Sequence, residues 1–349
     1  MTAESSDGGL DEIVEKLFSR TVTQDTVTRA ESEGLDPVLW KKVSELGLAW
    51  IGIDDTLGGS GGSLMDLLVV LQAAGRHAVP LPLAETNLAS WALTTCGSSV
   101  TEGTATLVPG SARDTLVLRD RKLNGTAHGV PWADQANRIV CILADGPGHA
   151  AVSVERASLT IRPGVDLAGL PADTVTAEEV EVTPLPWVGP GDAAVLRGGL
   201  LRAALMTGTL QAVRDLTVAY TMDRSQFGKP VGANQSVQQH LVTLAQAAAT
   251  ADSAVRQAVL ATEGGGEASF AACAAKLVVN RVASVAVRAA HQAHGAIGMT
   301  SEYRLQQLTR RLNAWRRQYG TDEELSTRIG IAVAEQGSTL AFINGEGSI

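Results

Sequence analysis

The chain has 349 residues, 45% of them hydrophobic and 19% charged, which is long and apolar enough for two or three well-buried units and argues against disorder. A formal net charge of -9 gives no basic footprint for nucleic acid. Three cysteines, Cys96, Cys141 and Cys273, lie far apart without CxxC spacing, so the sequence supports neither a disulfide framework nor a zinc site.

The opening residues carry acids early and no apolar stretch of the secretory kind, and no run of eighteen residues is uninterruptedly apolar. The expectation is a cytoplasmic protein that neither spans a membrane nor binds nucleic acid.

Three zones follow in chain order. In residues 1–103, Leu10, Ile13, Val14, Leu17 and Phe18 recur at helical spacing. Asp36-Pro37 supplies an N-cap and a first-turn proline for a helix through Leu39 and Trp40. Leu64 to Ala74 is a further helical run that Gly75 is expected to end. Gly58-Gly59-Ser60-Gly61-Gly62 lacks the Lys-Ser/Thr of a phosphate-cradling loop. It reads first as a connector and second as a substrate-lining loop.

In residues 104–189 the period changes. Thr115–Leu118, Arg138–Leu143 and Ala151–Val154 are strand-like, punctuated by Asn124-Gly125, Asp145-Gly146-Pro147-Gly148 and Arg162-Pro163-Gly164. A small antiparallel β domain is expected. In residues 190–349 long Ala- and Leu-rich segments are expected as the helices of a four-helix bundle: Asp192 to Asp223, Gln235 to Glu263, Glu267 to Gln292 and Glu302 to Tyr319. Low polarity on several faces suggests that oligomerisation buries part of their surface. The fold class is α+β, mainly α.

The most informative segment runs from Tyr220 to Pro230 and contains Arg224, Gln226, Phe227 and Gly228. Alone it reads as a helix C-terminus with a surface arginine and a core phenylalanine. An arginine fork also suits a pyrophosphate, and a phenylalanine suits a flat ring system. Asn234-Gln235 then opens the next helix. Gln292, Gly295 and Ala296 precede Glu302-Tyr303. Near the start, Leu39-Trp40, Glu45-Leu46-Gly47-Leu48 and Gly58-Gly59-x-Gly61 complete four motifs in register.

Together these resemble the acyl-CoA dehydrogenase family, with its R-x-x-F-G and Q-x-x-G-G signatures and its helical–β–helical order. The resemblance implies FAD as cofactor, an acyl-CoA substrate and an electron-transferring flavoprotein or similar acceptor. It also implies that Arg224, Gln226, Phe227, Asn234, Gln235, Gln292, Gly295, Ala296 and Thr321 touch the cofactor. In the family a glutamate takes the proton α to the thioester.

The departures define the expectation. The family's usual glutamate position before Gly-Thr is Tyr319, followed by Gly320-Thr321, and a phenol is a poor base at neutral pH. The alternative position falls near Gly198, and no acid occurs between Asp192 and Asp215. The stretch Val108–Asp114 has lost the family's Thr-Glu, and Val130-Pro131-Trp132-Ala133 has lost the hydroxyl after its tryptophan. The surviving motifs are those that, in the family, reach a neighbour's flavin.

The chain therefore resembles the short, non-catalytic subunit of heteromeric α2β2 actinobacterial steroid acyl-CoA dehydrogenases. Its partner would be a homologous subunit carrying the glutamate. Two rival readings stay open: a self-sufficient dehydrogenase with an unrecognised base, and a flavin-free binding or scaffold protein. Glu323 and Glu324 read as a helix start, and His291 and His294 as packing or flavin-edge groups rather than metal ligands.

Overall fold

The computed structural model describes residues 7–100, 102–110, 113–226, 228–264 and 268–335. Phe227, Ser111 and Ala112, singled out above, lie outside the described residues. The chain divides into two compact units, Met1–Gly198 and Gly199–Ile349.

The first unit opens with helices α1 (Asp7–Thr21), α2 (Gln24–Glu33), α3 (Pro37–Glu45), α4 (Leu64–His77) and α5 (Leu83–Thr95). The Asp36 carboxylate accepts from the amides of Val38 and Leu39 at 2.9 and 3.0 Å, so the proline-marked start of α3 is where its sequence put it. Gly75 does not end α4. That helix runs to His77 and stops at Ala78, whose φ is +55°. The glycine-rich loop is a packed connector. Gly61 bridges Ile53, Ser60 Oγ donates to Gly47 O, and a Cβ on Gly59 would come within 2.2 Å of Ile53 O.

Eight strands follow: β1 (Ala105–Leu107), β2 (Val117–Arg119), β3 (Lys122–Pro131), β4 (Arg138–Asp145), β5 (Gly148–Glu155), β6 (Thr160–Arg162), β7 (Ala172–Glu181) and β8 (Leu185–Pro186). They form two four-stranded sheets, ordered β1-β4-β5-β8 and β2-β3-β7-β6. Leu123, Ala127, Val130, Ile139, Cys141, Val152, Val154 and Val175 make the buried core. The pairing is antiparallel except for β1 with β4, which is parallel and corrects the all-antiparallel expectation. Buried Thr86 ties α5 to β1, its Oγ1 donating to Ala105 O at 3.1 Å.

Asn124-Gly125 is not a hairpin turn. It sits inside β3 at a register shift, where Gly125 has φ +112° and a Cβ would meet Thr115 O at 2.2 Å. The turn before it uses Asp120 and Arg121, both with positive φ, as a two-residue primed turn requires.

The remaining helices are α6 (Ala193–Asp223), α7 (Gln235–Glu263), α8 (Ala268–His294), α9 (Leu305–Trp315) and α10 (Asp322–Glu335). The last expected helix is therefore shorter than expected, and a further helix follows it. The break lies at Tyr319 and Gly320, with φ of +54° and +113°. In the second unit α7 and α8 pack along their lengths, and α9 and α10 pack on α8. The segment Ala268–Met299 is long and apolar enough to cross a membrane by length and composition alone, and half of its most apolar eighteen-residue stretch is buried in the fold. It also carries the fully buried Lys276 and Asn280.

Candidate cofactor-contact surface and the carboxylate-free loop

The second unit brings the two motif segments together. Helix α6 ends at Asp223 and turns straight into a two-residue hairpin, β9 (Ser225–Gln226) with β10 (Lys229–Pro230). Arg224 N donates to Tyr220 O at 2.9 Å and Val231 N to Arg224 O at 2.8 Å, so the Arg224 backbone is held on both sides. Gly228, at φ +77°, makes the tight reversal possible.

One turn before Arg224, Tyr220 stacks on His294 with centroids 4.5 Å apart and planes at 17°. Its hydroxyl donates to His294 O at 3.3 Å. Tyr303 closes the cluster at 5.2 Å from His294 and 5.8 Å from Tyr220. Gly295 is the next residue, at φ +65°, and a Cβ there would meet nothing within 4 Å, so the chain stays open to an approaching group. Burial lowers the pKa of His291 and of His294 and raises that of Tyr303.

The donors on the segments next to this cluster are unspent among the described residues. Arg224, Gln226 and Gln292 are exposed, Asn234 is half-buried, and Gln235 opens α7 in the open. None makes a side-chain hydrogen bond or ion pair among the described residues. His294 Nδ1 takes the Ala290 carbonyl at 2.9 Å, which fixes the proton there and leaves Nε2 a shielded acceptor without a partner. His291 bonds Thr309 Oγ1 at 3.1 Å. Thr321 differs from the other candidates, because its hydroxyl is spent in a capping box. Glu324 accepts from Thr321 N and Oγ1 at 2.8 and 2.9 Å. Ala296 is exposed beside Gly295.

Around Tyr319 the nearby acids are Asp322 and Glu324, both partnered, and Glu323, which is exposed on the first turn of α10. The Tyr319 side chain is buried, with the Arg202 guanidinium 5.7 Å from its ring centroid and 5.4 Å from that of Trp315. Gly199 faces the same place: a Cβ there would lie 3.2 Å from Tyr319 O. Glu324 is turned into its cap, and Asp322 pairs with Arg316 at 3.2 Å.

Sequence reasoning missed Lys276. It is fully buried on α8, and its Nζ donates to Asn280 Oδ1 at 2.6 Å and Trp315 O at 2.9 Å. Asn280 Nδ2 in turn donates to the carbonyls of Arg316 and Gly320 at 3.2 and 3.3 Å. The pair clamps the turn that carries Tyr319. Burial, then the nearby Arg202, pulls Lys276 down to about 7. That value suits a general base, but the amine is sealed from any substrate and both oxygens it reaches are main-chain or amide. The available signal was a lone lysine on an apolar helix face, four residues before Asn280.

Comparison with known proteins decides the family. Residues 10–102 match the acyl-CoA dehydrogenase N-terminal domain and residues 195–333 the acyl-CoA dehydrogenase C-terminal domain. Acyl-CoA dehydrogenase IpdE2 of Mycolicibacterium smegmatis is 30% identical over 324 residues, covering 92% of this chain and 96% of that protein. The chain belongs to the acyl-CoA dehydrogenase family. IpdE2 of Mycobacterium tuberculosis is 31% identical over 78% of this acyl-CoA dehydrogenase chain and 80% of its own length.

Among solved structures, a Tcur3481–Tcur3483 steroid ACAD variant superposes with a TM-score of 0.86 at 23% identity, covering 94% of this chain and 97% of its own. The ChsE4–ChsE5 complex of Mycobacterium tuberculosis gives 0.87 at 18%, covering 96% and 98%. These establish the shared fold. FAD is the family's cofactor. The unspent donors and the open Gly295 suit its polar pyrophosphate and ribose portions. The Tyr319 side chain, by contrast, is buried beside Arg202.

Proposed function

We propose that this chain is a subunit of an FAD-dependent acyl-CoA dehydrogenase that completes the flavin site of a homologous partner, rather than performing proton abstraction itself. The observation that carries the reading is the contrast within one unit. The Tyr220–His294 stack joins the segments that carry Arg224, Gln226 and Gln292, which are exposed and unpartnered among the described residues, while the position expected for the carboxylate holds a buried tyrosine beside an arginine.

In this reading Arg224 grips the pyrophosphate with its guanidinium fork. Gln226, Asn234, Gln235 and Gln292 hydrogen-bond the neighbouring polar groups, and Gly295 and Ala296 let the main chain come close. Phe227 covers a ring, and Thr321 contributes through its methyl, its amide and hydroxyl both being used in the cap. When bound, FAD supplies the electron sink for oxidation of the acyl chain. The division into segments 1–103, 104–189 and 190–349 belongs to the same proposal, supported by the two matched family segments.

The partner carries the glutamate, and the assembly is an α2β2 heterotetramer in the cytoplasm passing electrons to an electron-transferring flavoprotein or similar acceptor. Two fold neighbours named as two-protein assemblies, one of them a steroid enzyme, support the partner and a steroid-derived CoA ester as substrate. Exposed Met222, Val242, Ile297 and Met299, on the same segments as the candidate donors, support a covering subunit.

Visible absorbance of the chain purified alone, then with its co-expressed homologue, tests the proposal. Flavin retained only in the complex is the expected result. Flavin retained stoichiometrically by the chain alone, with turnover, would make it self-sufficient. No flavin in either case would make it a scaffold of the same fold.

A further inference from the structure

In the first unit, Arg197 stands on the first turns of α6 with its guanidinium carbon 4.7 Å from the centroid of the Trp91 ring. Trp91, on α5, meets Trp187 edge-on at 5.8 Å and 77°. Trp187 is itself fixed, since its Nε1 donates to Pro190 O at 2.9 Å and its backbone amide to His149 O at 3.0 Å. The two indoles therefore form a rigid apolar platform beneath a cation.

That cation has no counter-charge among the described residues. Arg197 makes no ion pair or hydrogen bond among the described residues, and its Nε is shielded from solvent without a partner. Its own helix cannot supply one, because residues 193–214 contain no acid. A shielded, unpaired charge is costly, and its attraction to an indole face offsets that only in part. Desolvation lowers Arg197 to about 10, which leaves it charged at neutral pH. Arg197 and Trp91 both remain partly open to solvent, so a ligand has access.

We propose that Arg197, Trp91 and Trp187 form a binding site for an organic carboxylate with an apolar body. The carboxylate's two oxygens meet the planar fork of the guanidinium, and the apolar body packs on the indole edges and on Val188, which is 70% exposed beside Trp187. An inorganic anion would satisfy the charge but leave the apolar walls bare. The site is independent of the flavin reading, because it lies in the other unit and uses none of the same residues.

The test uses the full chain with ¹⁵N-labelled arginine. The Nε–H signal of Arg197, identified by its absence in Arg197→Lys, is followed during titration with cyclohexanecarboxylate, cyclohexanecarboxamide and inorganic phosphate. A saturable shift with the carboxylate alone is expected. Calorimetric affinity for the carboxylate should fall by at least about tenfold in Arg197→Lys, which keeps the charge but loses the fork, and also in Trp91→Leu. An equal response to the carboxamide or to phosphate overturns the proposal. So does the absence of a saturable shift in the wild-type chain, or unchanged affinity in a folded Arg197→Lys.

Discussion

Tyr220 stacks on His294 at 4.5 Å and donates its hydroxyl to the same residue's main-chain oxygen, so one side chain fixes the end of α6 against the end of α8. The two segments that carry the candidate donors are held in register by this contact. A stacked pair contributes about 0.5–1.5 kcal/mol beyond burial and a neutral hydrogen bond about as much. Tyr220→Leu should therefore lower unfolding free energy by about 1–3 kcal/mol in denaturant titration. It should also weaken flavin retention by the complex although Arg224 is intact. Full retention would mean that the two segments are positioned by something else.

Arg224 has no competing partner among the described residues, so its loss is expected to be felt by the ligand and not by the fold. Arg224→Ala should leave the melting temperature of the chain within about 2 °C, since surface changes are small. Flavin retention in the heteromer should fall by roughly 10–150-fold, the equivalent of one charge-assisted contact of about 1.5–3 kcal/mol. Equilibrium dialysis of the purified complex reads this directly, and unchanged retention contradicts the assignment of Arg224.

Much of this arrangement was legible because local chemistry carries it. Asp36-Pro37 announced α3, and the change from helical to short alternating runs announced the sheets. The failures are also local. Asn124-Gly125 has hairpin composition, yet close approach of Thr115 O uses its glycine for a bulge. The turn fell to Asp120-Arg121, of which only the aspartate is a residue such turns favour. The apolar spacing from Glu302 onward continues to Trp315 and so predicts one helix to Tyr319. The helix ends at Trp315, and the positive φ of Tyr319 and Gly320, four and five residues further on, turns the chain into α10. Thr321 and Glu324 stand at capping-box spacing, a local signal for the start of α10. Lys276 was invisible because its role depends on carbonyls 39 and more residues away.

That capping box is a test of where Glu324 is spent. Glu324→Ala should cost about 0.5–2 kcal/mol, the range for losing a helix N-terminal cap. Glu323→Ala, at the neighbouring exposed position, should cost less than about 0.5 kcal/mol. Thermal melts of the two variants give the comparison, and equal costs would argue against the cap.

Lys276 makes stability depend on pH in a definite direction. Its folded pKa is about 7 against 10.5 for a free lysine, so between those values the unfolded chain holds a proton that the folded chain has released. Stability from this group therefore rises as pH increases from about 7 toward 10, and the burden of a buried charge is full below 7. A neutral amine has two N–H groups for Asn280 Oδ1 and Trp315 O. Lys276→Met lacks both the charge and these bonds. The variant should be more destabilised relative to wild type at pH 9 than at pH 6 in urea titrations. A difference that does not change with pH would mean that Lys276 titrates normally.

The central claim is that this chain supplies no catalytic base, and the direct measurement is steady-state acyl-CoA turnover by the assembled heteromer with an artificial electron acceptor. Tyr319→Phe, Glu323→Gln and Glu324→Gln should each keep turnover within about threefold of wild type, while replacing the partner subunit's glutamate should abolish it. General-base catalysis contributes about 10²–10⁴-fold. A loss of more than about a hundredfold in any of the three variants, with flavin content unchanged, would put the base in this chain and contradict the account.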